Sequence, residues 1–315
     1  MSFARKTGGC DRSDRPLEGI TYMLLGIAAF SATDGLSKWM VMAAPALEIV
    51  AVRNSFTLLL ILPAVVRAGG LSALATRRGW AHVTRAGLSI VSLLTFFEAL
   101  RDLPLATCIA IGFASPLFMT VASVLLLREH VGPHRWAAIG AGFVGVVIIA
   151  WPDSGGFVSW PAALMLLSSL CFALAMINVR WLARTESDVA MLVYQNVGML
   201  AAGIVGLPFV WQPLSGVDLV VIAGMAVSLA VGQVFTIRAF RAAPVGVVAP
   251  FEYTELLWTA LIGYVVWNEL PTTHVWAGAA LVIASGLYII WREAVAARRA
   301  LAVGPSASAV ASPQV

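Results

Sequence analysis

The sequence predicts an all-α polytopic membrane protein, with ten transmembrane helices arranged as two inverted five-helix repeats. Three observations lead there. The 315 residues are 60% hydrophobic and only 11% charged, with a mean hydropathy of +0.89, whereas water-soluble domains carry roughly 25% charged residues. Ten apolar stretches follow one another, separated by short polar breaks. The second half of the chain repeats the first at a constant offset of 140 residues.

The stretches run over residues 19–41, 46–66, 82–100, 104–127, 136–151, 159–181, 189–211, 218–237, 245–267 and 274–291. At ~20 to 23 residues per crossing, ten spans use ~220 residues and leave no room for a sizeable soluble domain. The division that follows is a cytoplasmic tail over 1–18, a first repeat over 19–152, a second over 158–292 and a disordered cytoplasmic tail over 293–315. The first stretch follows a tail of mixed charge, is as long as a full crossing and lacks a small-residue cleavage pattern, so it reads as a retained helix. The closing run GPSASAVASPQV is Ala, Ser and Pro without periodicity, a composition that cannot build a packed segment.

Orientation follows from the basic residues, because cytoplasmic loops of inserted proteins hold the excess Lys and Arg. With the N-terminus inside, the inner side receives Arg5, Lys6, Arg12, Arg15, Arg67, Arg77, Arg78, Arg128, Arg135, Arg180, Arg184, Arg238, Arg241, Arg292, Arg298 and Arg299, sixteen of the twenty. Arg101 alone falls in an outer loop, while Lys38, Arg53 and Arg85 lie in or at the edge of spans. Both termini are therefore expected in the cytoplasm, with the chain in the inner or plasma membrane. The formal charge of +4 is the mark of these loops and does not point to nucleic acid. Ten of the eleven tryptophans sit near predicted span ends, where the indole ring favours the headgroup level. Trp258 lies mid-span.

The repeat aligns ALRDLPLA (99–106) with AFRAAPVG (239–246) without a gap. At the same offset Pro104 meets Pro244, Glu129 meets Glu269, His134 meets His274, Trp136 meets Trp276 and Trp151 meets Trp291. Five helices per half is an odd number, so the second half enters the membrane from the opposite side. Inverted repeats of this kind let one scaffold present a central site to either face in turn. The runs ALRDLPLATCIAIGFASPLF and LLLREHVGPHRWAAIGAGFVGVVIIA, with their echo VVAPFEYTELLWTALIGYVVWNELPTTHVWAGAALVIASG, resemble the EamA family of the drug/metabolite transporter superfamily, over roughly residues 19–292. The resemblance implies a central cavity and secondary transport of a small organic metabolite: an amino acid or derivative, a metallophore, S-adenosylmethionine, riboflavin or a drug-like amphiphile. The first repeat departs from the family in reading LLREH, where a Gly commonly precedes the Glu.

Ionisable groups inside a span are costly unless they face a cavity or a partner, which makes Asp34, Arg53, Glu252 and Glu255 the leading site candidates. Glu252 and Glu255 are three apart, hence on one helix face, with Trp258 three further on. Their counterparts in the first repeat are Gly112, Ser115 and Phe118, and a feature confined to one half suits a ligand better than the scaffold. A desolvated carboxylate is costly in its charged form, which fits Glu255, Glu252 and Asp34 to exchange protons in step with substrate. The competing reading pairs one glutamate with Arg53 or another basic group, and pairs Asp34 with Lys38 four residues on. Tyr253, Phe251 and Trp258 offer stacking and cation–π contacts or simple packing. Arg53, Asn54, Gln233 and Ser115 complete the expected substrate site, and Gln195 and Asn196 are further neutral candidates. Pro116 and Pro250 are expected to kink the fourth and ninth helices, and the matched Glu129 and Glu269 to serve as scaffold or gate. The small-residue run AAIGAGFVG (137–145) permits close helix contact within the fold or in a homodimer.

Other classes are weaker. No GxxxxGK[ST] loop is present for ATP hydrolysis. An intramembrane enzyme and a channel are the rivals, but the histidines lie near span ends without an HExxH. Cys10, Cys108 and Cys171 show no metal or disulfide spacing and read as free thiols. No catalytic residue, metal or cofactor is expected.

Overall fold

The computed structural model describes residues 15–127, 132–151, 159–183 and 185–302. All regular elements among them are helical: α1 (Pro16–Ala43), α2 (Ala46–Arg67), a 3₁₀ turn (Gly70–Leu74), α3 (Gly79–Asp102), α4 (Leu105–Gly112), α5 (Ser115–Leu127), α6 (Pro133–Ala150), α7 (Trp160–Leu182), α8 (Asp188–Val210), α9 (Gly216–Ala242), α10 (Val245–Val248), a second 3₁₀ segment (Ala249–Thr254), α11 (Glu255–Trp267) and α12 (Thr273–Ala302). Their ends follow from sequence. Ser159, Ser187 and Ser215 accept a backbone hydrogen bond at the N-termini of α7, α8 and α9, and Asp218 completes a capping box at α9. Asn268 stops α11 in the left-handed region at φ 56°.

Nine of the described helical stretches are long and apolar enough to cross a membrane, α4 and α5 together counting as one over Leu105–Leu126. The difference from the ten expected lies at 245–267. That stretch is divided into α10, the 3₁₀ segment and α11, so no single helix in it reaches spanning length. The stretches carrying Pro116 and Pro250 break, where the sequence predicts kinks, whereas α2 and α8 run on through Pro63 and Pro208. Pro116 offers no N–H to the Gly112 carbonyl, and Ser115 Oγ donates to that carbonyl at 2.6 Å instead. Pro250 opens the 3₁₀ segment, where Thr254 Oγ1 donates to the Phe251 carbonyl at 2.6 Å.

α12 continues to Ala302, past the 293 boundary at which the sequence predicts a disordered tail. The run GPSASAVASPQV (304–315), the tail ahead of residue 15 with Cys10, and Glu129 lie outside the described residues.

The main packing partners are α1 with α9, α3 with α7, α2 with α8 and α6 with α12. These pairings are those of two halves exchanging helices, since the first helix of one repeat packs on the third helix of the other in both senses. α6 and α12 cross so closely that a Cβ on Gly145 would lie 2.7 Å from the Gly278 carbonyl oxygen, and one on Gly278 2.6 Å from that of Gly145. The small-residue run is therefore used within the protomer.

The largest apolar core gathers around α4, whose residues from Leu105 to Ile111 are all buried, with Met40, Ile49, Phe97, Leu100, Ile222 and Met225 against it. These residues cluster at the end of the bundle that carries the α1–α2 and α3–α4 connections. Among the described residues the opposite end holds smaller apolar clusters, around Met23 with Ala239 and around Ala81 with Leu182. The outer surfaces are apolar, with Leu59, Phe209, Val220 and Val265 more than half exposed, as a lipid-facing bundle requires.

Candidate substrate cavity

The unequal packing leaves a cavity of about 680 Å³ in the middle of the bundle. The breaks next to Pro116 and Pro250 line it, with Gly112, Phe113, Ser115 and Pro116 from one and Glu252, Tyr253 and Glu255 from the other. Unwound backbone at membrane depth is tolerated where it borders such a cavity, and in transporters of this general design it marks the site. From Asp34 and Arg53 the lining runs towards Arg85 near the start of α3, Met176 near the end of α7 and Thr236 near the end of α9. The cavity thus extends away from the end filled by the α4 core.

Its charged centre joins three helices. The carboxyl groups of Asp34 on α1 and Glu255 at the start of α11 are in side-chain hydrogen-bond contact, and the Arg53 guanidinium of α2 acts electrostatically on Asp34. A hydrogen bond between two carboxyl groups requires a proton on one of them. Arg53 is 8% exposed and its Nε has no hydrogen-bond partner. Around this centre Phe113 and Tyr253 meet edge to face at 5.1 Å between centroids, and Phe30, Phe96, Met119 and Met165 add apolar surface. Ser92 and Ser168 exchange hydrogen bonds to each other's carbonyls at 2.9 and 2.7 Å, tying α3 to α7 beside the lining.

Of the residues predicted from sequence, Asp34, Arg53, Ser115, Pro116, Gln195, Gln233, Glu252, Tyr253 and Glu255 line this cavity. Trp258, Phe251, Asn54 and Asn196 do not. Trp258 is 38% exposed and faces away. The stretch up to Thr254 is 3₁₀, with three residues per turn, so Glu252 and Glu255 nearly eclipse, and the α-helix that follows rotates Trp258 about 60° off that line. Phe251 packs against the Met23–Ala239 cluster. Asn54 is buried and donates to the Val50 carbonyl of its own helix at 2.6 Å, and Asn196 does the same to Leu192 at 2.8 Å. Pro250 borders a separate apolar crevice against α12.

Two expected pairings are corrected. Lys38 does not pair with Asp34; its Nζ lies 2.6 Å from the Glu269 carboxylate. Arg53 makes no ion pair with a glutamate among the described residues and acts electrostatically on Asp34. Sequence reasoning missed Arg85 and Thr236 as lining residues. Arg85 carried a signal, a charge just inside a predicted span; Thr236 carried none. Among the described residues no group of three or more His, Cys, Asp or Glu is placed to hold a metal ion, and Cys108 and Cys171 are free thiols.

The chain matches the EamA-like transporter family twice, over residues 17–151 and 159–291. It is 31% identical over 303 residues to a riboflavin transporter of Rhizobium johnstonii, covering 93% of this chain and 97% of the relative. It is 30% identical over 282 residues to an S-adenosylmethionine uptake transporter of Rickettsia prowazekii, covering 88% and 94%. A riboflavin transporter of Vibrio cholerae is 29% identical over 290 residues. A crystal structure with 15% sequence identity superposes with a TM-score of 0.59 over 86% of this chain and 98% of its own, which shows the fold. Two family matches covering nearly all the described helices, with apolar spans throughout and relatives aligned end to end, make this multi-pass membrane protein a member of the EamA-like transporter family, built from two EamA repeats.

Proposed function

We propose that this chain is a secondary active carrier that moves a small organic metabolite across the inner membrane by alternating access, with the stretch 245–267 serving as a tenth, broken span. The two repeats are then inverted, and both termini are cytoplasmic, as the distribution of Lys and Arg supports. In that orientation the cavity runs towards the cytoplasm, and the α4 core closes the outer side. Riboflavin and S-adenosylmethionine, the compounds in the names of the relatives, are the first substrates to try.

The observation that carries the reading is the hydrogen-bond contact of Asp34 with Glu255 inside the cavity, with the Arg53 guanidinium acting on Asp34 electrostatically. An acidic pair that shares a proton next to a cation is a coupling element. Loss of the proton frees a negative charge in the site, and regaining it removes that charge, so substrate and proton occupancy are linked. Glu252 sits one 3₁₀ turn away and adds a further carboxylate to the lining. Pro116 and Pro250 supply the breaks about which the halves of these stretches can tilt, and Glu269 braces the outer end.

The test is uptake into proteoliposomes driven by an imposed pH gradient. A carrier gives saturable uptake, accelerated by unlabelled substrate on the far side; a channel gives no counterflow, and an enzyme gives a chemically altered product. Collapse of the gradient with a protonophore is expected to abolish accumulation.

A further inference from the structure

The cavity lining is unevenly polar, and the unevenness describes a ligand. At its centre Asp34 and Glu255 are hydrogen-bonded to each other and Arg53 acts electrostatically on Asp34. Glu252, by contrast, is accessible from the cavity and, among the described residues, makes no hydrogen bond or ion pair. It stands on the 3₁₀ segment that packs against α1. On a different wall, α3 and α8 pack together and bring Arg85 to the lining. Arg85 donates one bond to the Met191 carbonyl at 3.0 Å and leaves its Nε buried without a partner. Gln195, one helical turn beyond Met191, has a buried Oε1 that also lacks a partner.

Buried groups of this kind are costly to leave unmatched. A guanidinium N–H asks for an acceptor, above all a carboxylate, and an amide oxygen lining the same cavity asks for a donor such as an ammonium. That pair of demands is the hydrogen-bonding pattern of an α-amino acid group. The free Glu252 carboxylate asks for a second cation, and the Phe113–Tyr253 pair beside it offers ring faces to an onium group or a planar ring. With one proton held between Asp34 and Glu255 the two remaining carboxylates balance the two guanidiniums, and loss of that proton leaves one negative charge in excess, which a ligand of net positive charge matches. An uncharged ring system would leave both ends unanswered.

We infer that the substrate is a cationic amino-acid derivative, with its amino-acid group read by Arg85 and Gln195 and its additional cationic centre read by Glu252. This rests on the carrier reading above and narrows its substrate class. S-adenosylmethionine meets the description, since it carries a sulfonium, a planar ring and an amino-acid group. S-adenosylhomocysteine is the same molecule without the sulfur-bound methyl group and hence without the sulfonium charge, and riboflavin has neither cation nor amino acid.

The experiment is counterflow of each of these three compounds in proteoliposomes holding the full chain, with folding of every variant checked by thermal melting in detergent. S-adenosylmethionine is expected to exchange, at a half-saturating concentration roughly tenfold below that of S-adenosylhomocysteine, the discrimination that one charge-assisted contact supplies. Glu252→Gln is expected to bring the ratio for the two compounds close to one, whereas Arg85→Gln weakens both and keeps the ratio. Equal affinity for the two in the wild type, or a ratio unmoved by Glu252→Gln, overturns the proposal. Exchange of riboflavin without S-adenosylmethionine also overturns it while leaving the carrier reading standing. Failure of all three to exchange on folded protein counts against both.

Discussion

Lys38 Nζ lies 2.6 Å from the Glu269 carboxylate and donates to the Leu103 carbonyl at 2.9 Å, while the same carboxylate accepts from the Leu105 N–H at 3.2 Å. Trp267 covers the ammonium at 5.5 Å. One ion pair thus bolts the end of α1 to the α3–α4 connection and to the segment between α11 and α12. Lys38 is 3% exposed and Glu269 28%, so the pair is screened by water and salt less than a fully exposed surface bridge.

The bolt should hold this end of the bundle shut. Lys38→Met removes the cation and leaves Glu269 with only the Leu105 N–H, at a cost of roughly 1–3 kcal/mol to the closed arrangement. In a background without native cysteines, Leu105→Cys is expected to react with a membrane-impermeant maleimide at least about tenfold faster once Lys38→Met is added. Glu269→Gln should act in the same direction. An unchanged labelling rate would show that apolar packing around α4 alone keeps the end closed.

Glu255 and Asp34 share one site, and removing either carboxyl should uncouple transport from protons. Glu255→Gln keeps volume and hydrogen-bonding ability while abolishing the proton that Asp34 can share. Uptake driven by a pH gradient is expected to fall by at least about tenfold, with membrane insertion and melting temperature near wild type. Equilibrium exchange should persist and lose its dependence on pH. Persistence of the wild-type pH profile in both Glu255→Gln and Asp34→Asn would remove the pair from the coupling step.

How much of this site the sequence disclosed depends on the range of the interaction that decides each residue. Asp34, Arg53, Glu252 and Glu255 were legible because a charge in an apolar span is too costly to keep unless a cavity or a partner receives it. The repeat was legible because its offset survives in matched Arg, Pro, Glu and Trp residues. Lys38 was misread because a local rule, the pairing of residues four apart, lost to a carboxylate 231 positions away. Trp258 was misread because the helical period changes at Pro250, and a face counted in steps of three does not survive a switch from 3₁₀ to α. Asn54 has the composition of a lining residue, but its amide is spent on its own helix. Thr236 shows the converse. A helical threonine usually bonds a carbonyl one turn back, yet its hydroxyl is left free beside the cavity.

The break at Pro250 should matter for turnover more than for binding. Pro250→Ala restores a backbone donor and permits continuous α-helix through 245–267, removing the cost of a proline inside that helix, about 3 kcal/mol. A straightened stretch resists the tilting that alternating access needs. Exchange rate is expected to fall several-fold while ligand-induced thermal stabilisation stays intact. If instead the variant transports at the wild-type rate, the 3₁₀ segment is set by Glu252, Tyr253 and the packing on α1, and the proline is incidental to motion.

The glycines of the 137–145 run separate packing within the chain from association between chains. A Cβ at Gly145 would meet the Gly278 carbonyl oxygen at 2.7 Å and Val282 at 2.9 Å, whereas one at Gly140 would meet nothing within 4 Å. Gly145→Leu is therefore expected to force α6 and α12 apart and lower stability by roughly 2–4 kcal/mol, beyond the cost of ordinary overpacking because backbone, not a flexible side-chain end, stands in the way. Gly140→Leu should leave the melting temperature within a few degrees of wild type. Gly140 lies on the outward side of α6, so a homodimer built on this run would be disrupted by Gly140→Leu and read as a loss of mass in light scattering with no loss of fold. A protein that loses stability at Gly145 and keeps its mass at Gly140 uses the run to join its two repeats and not to join two copies.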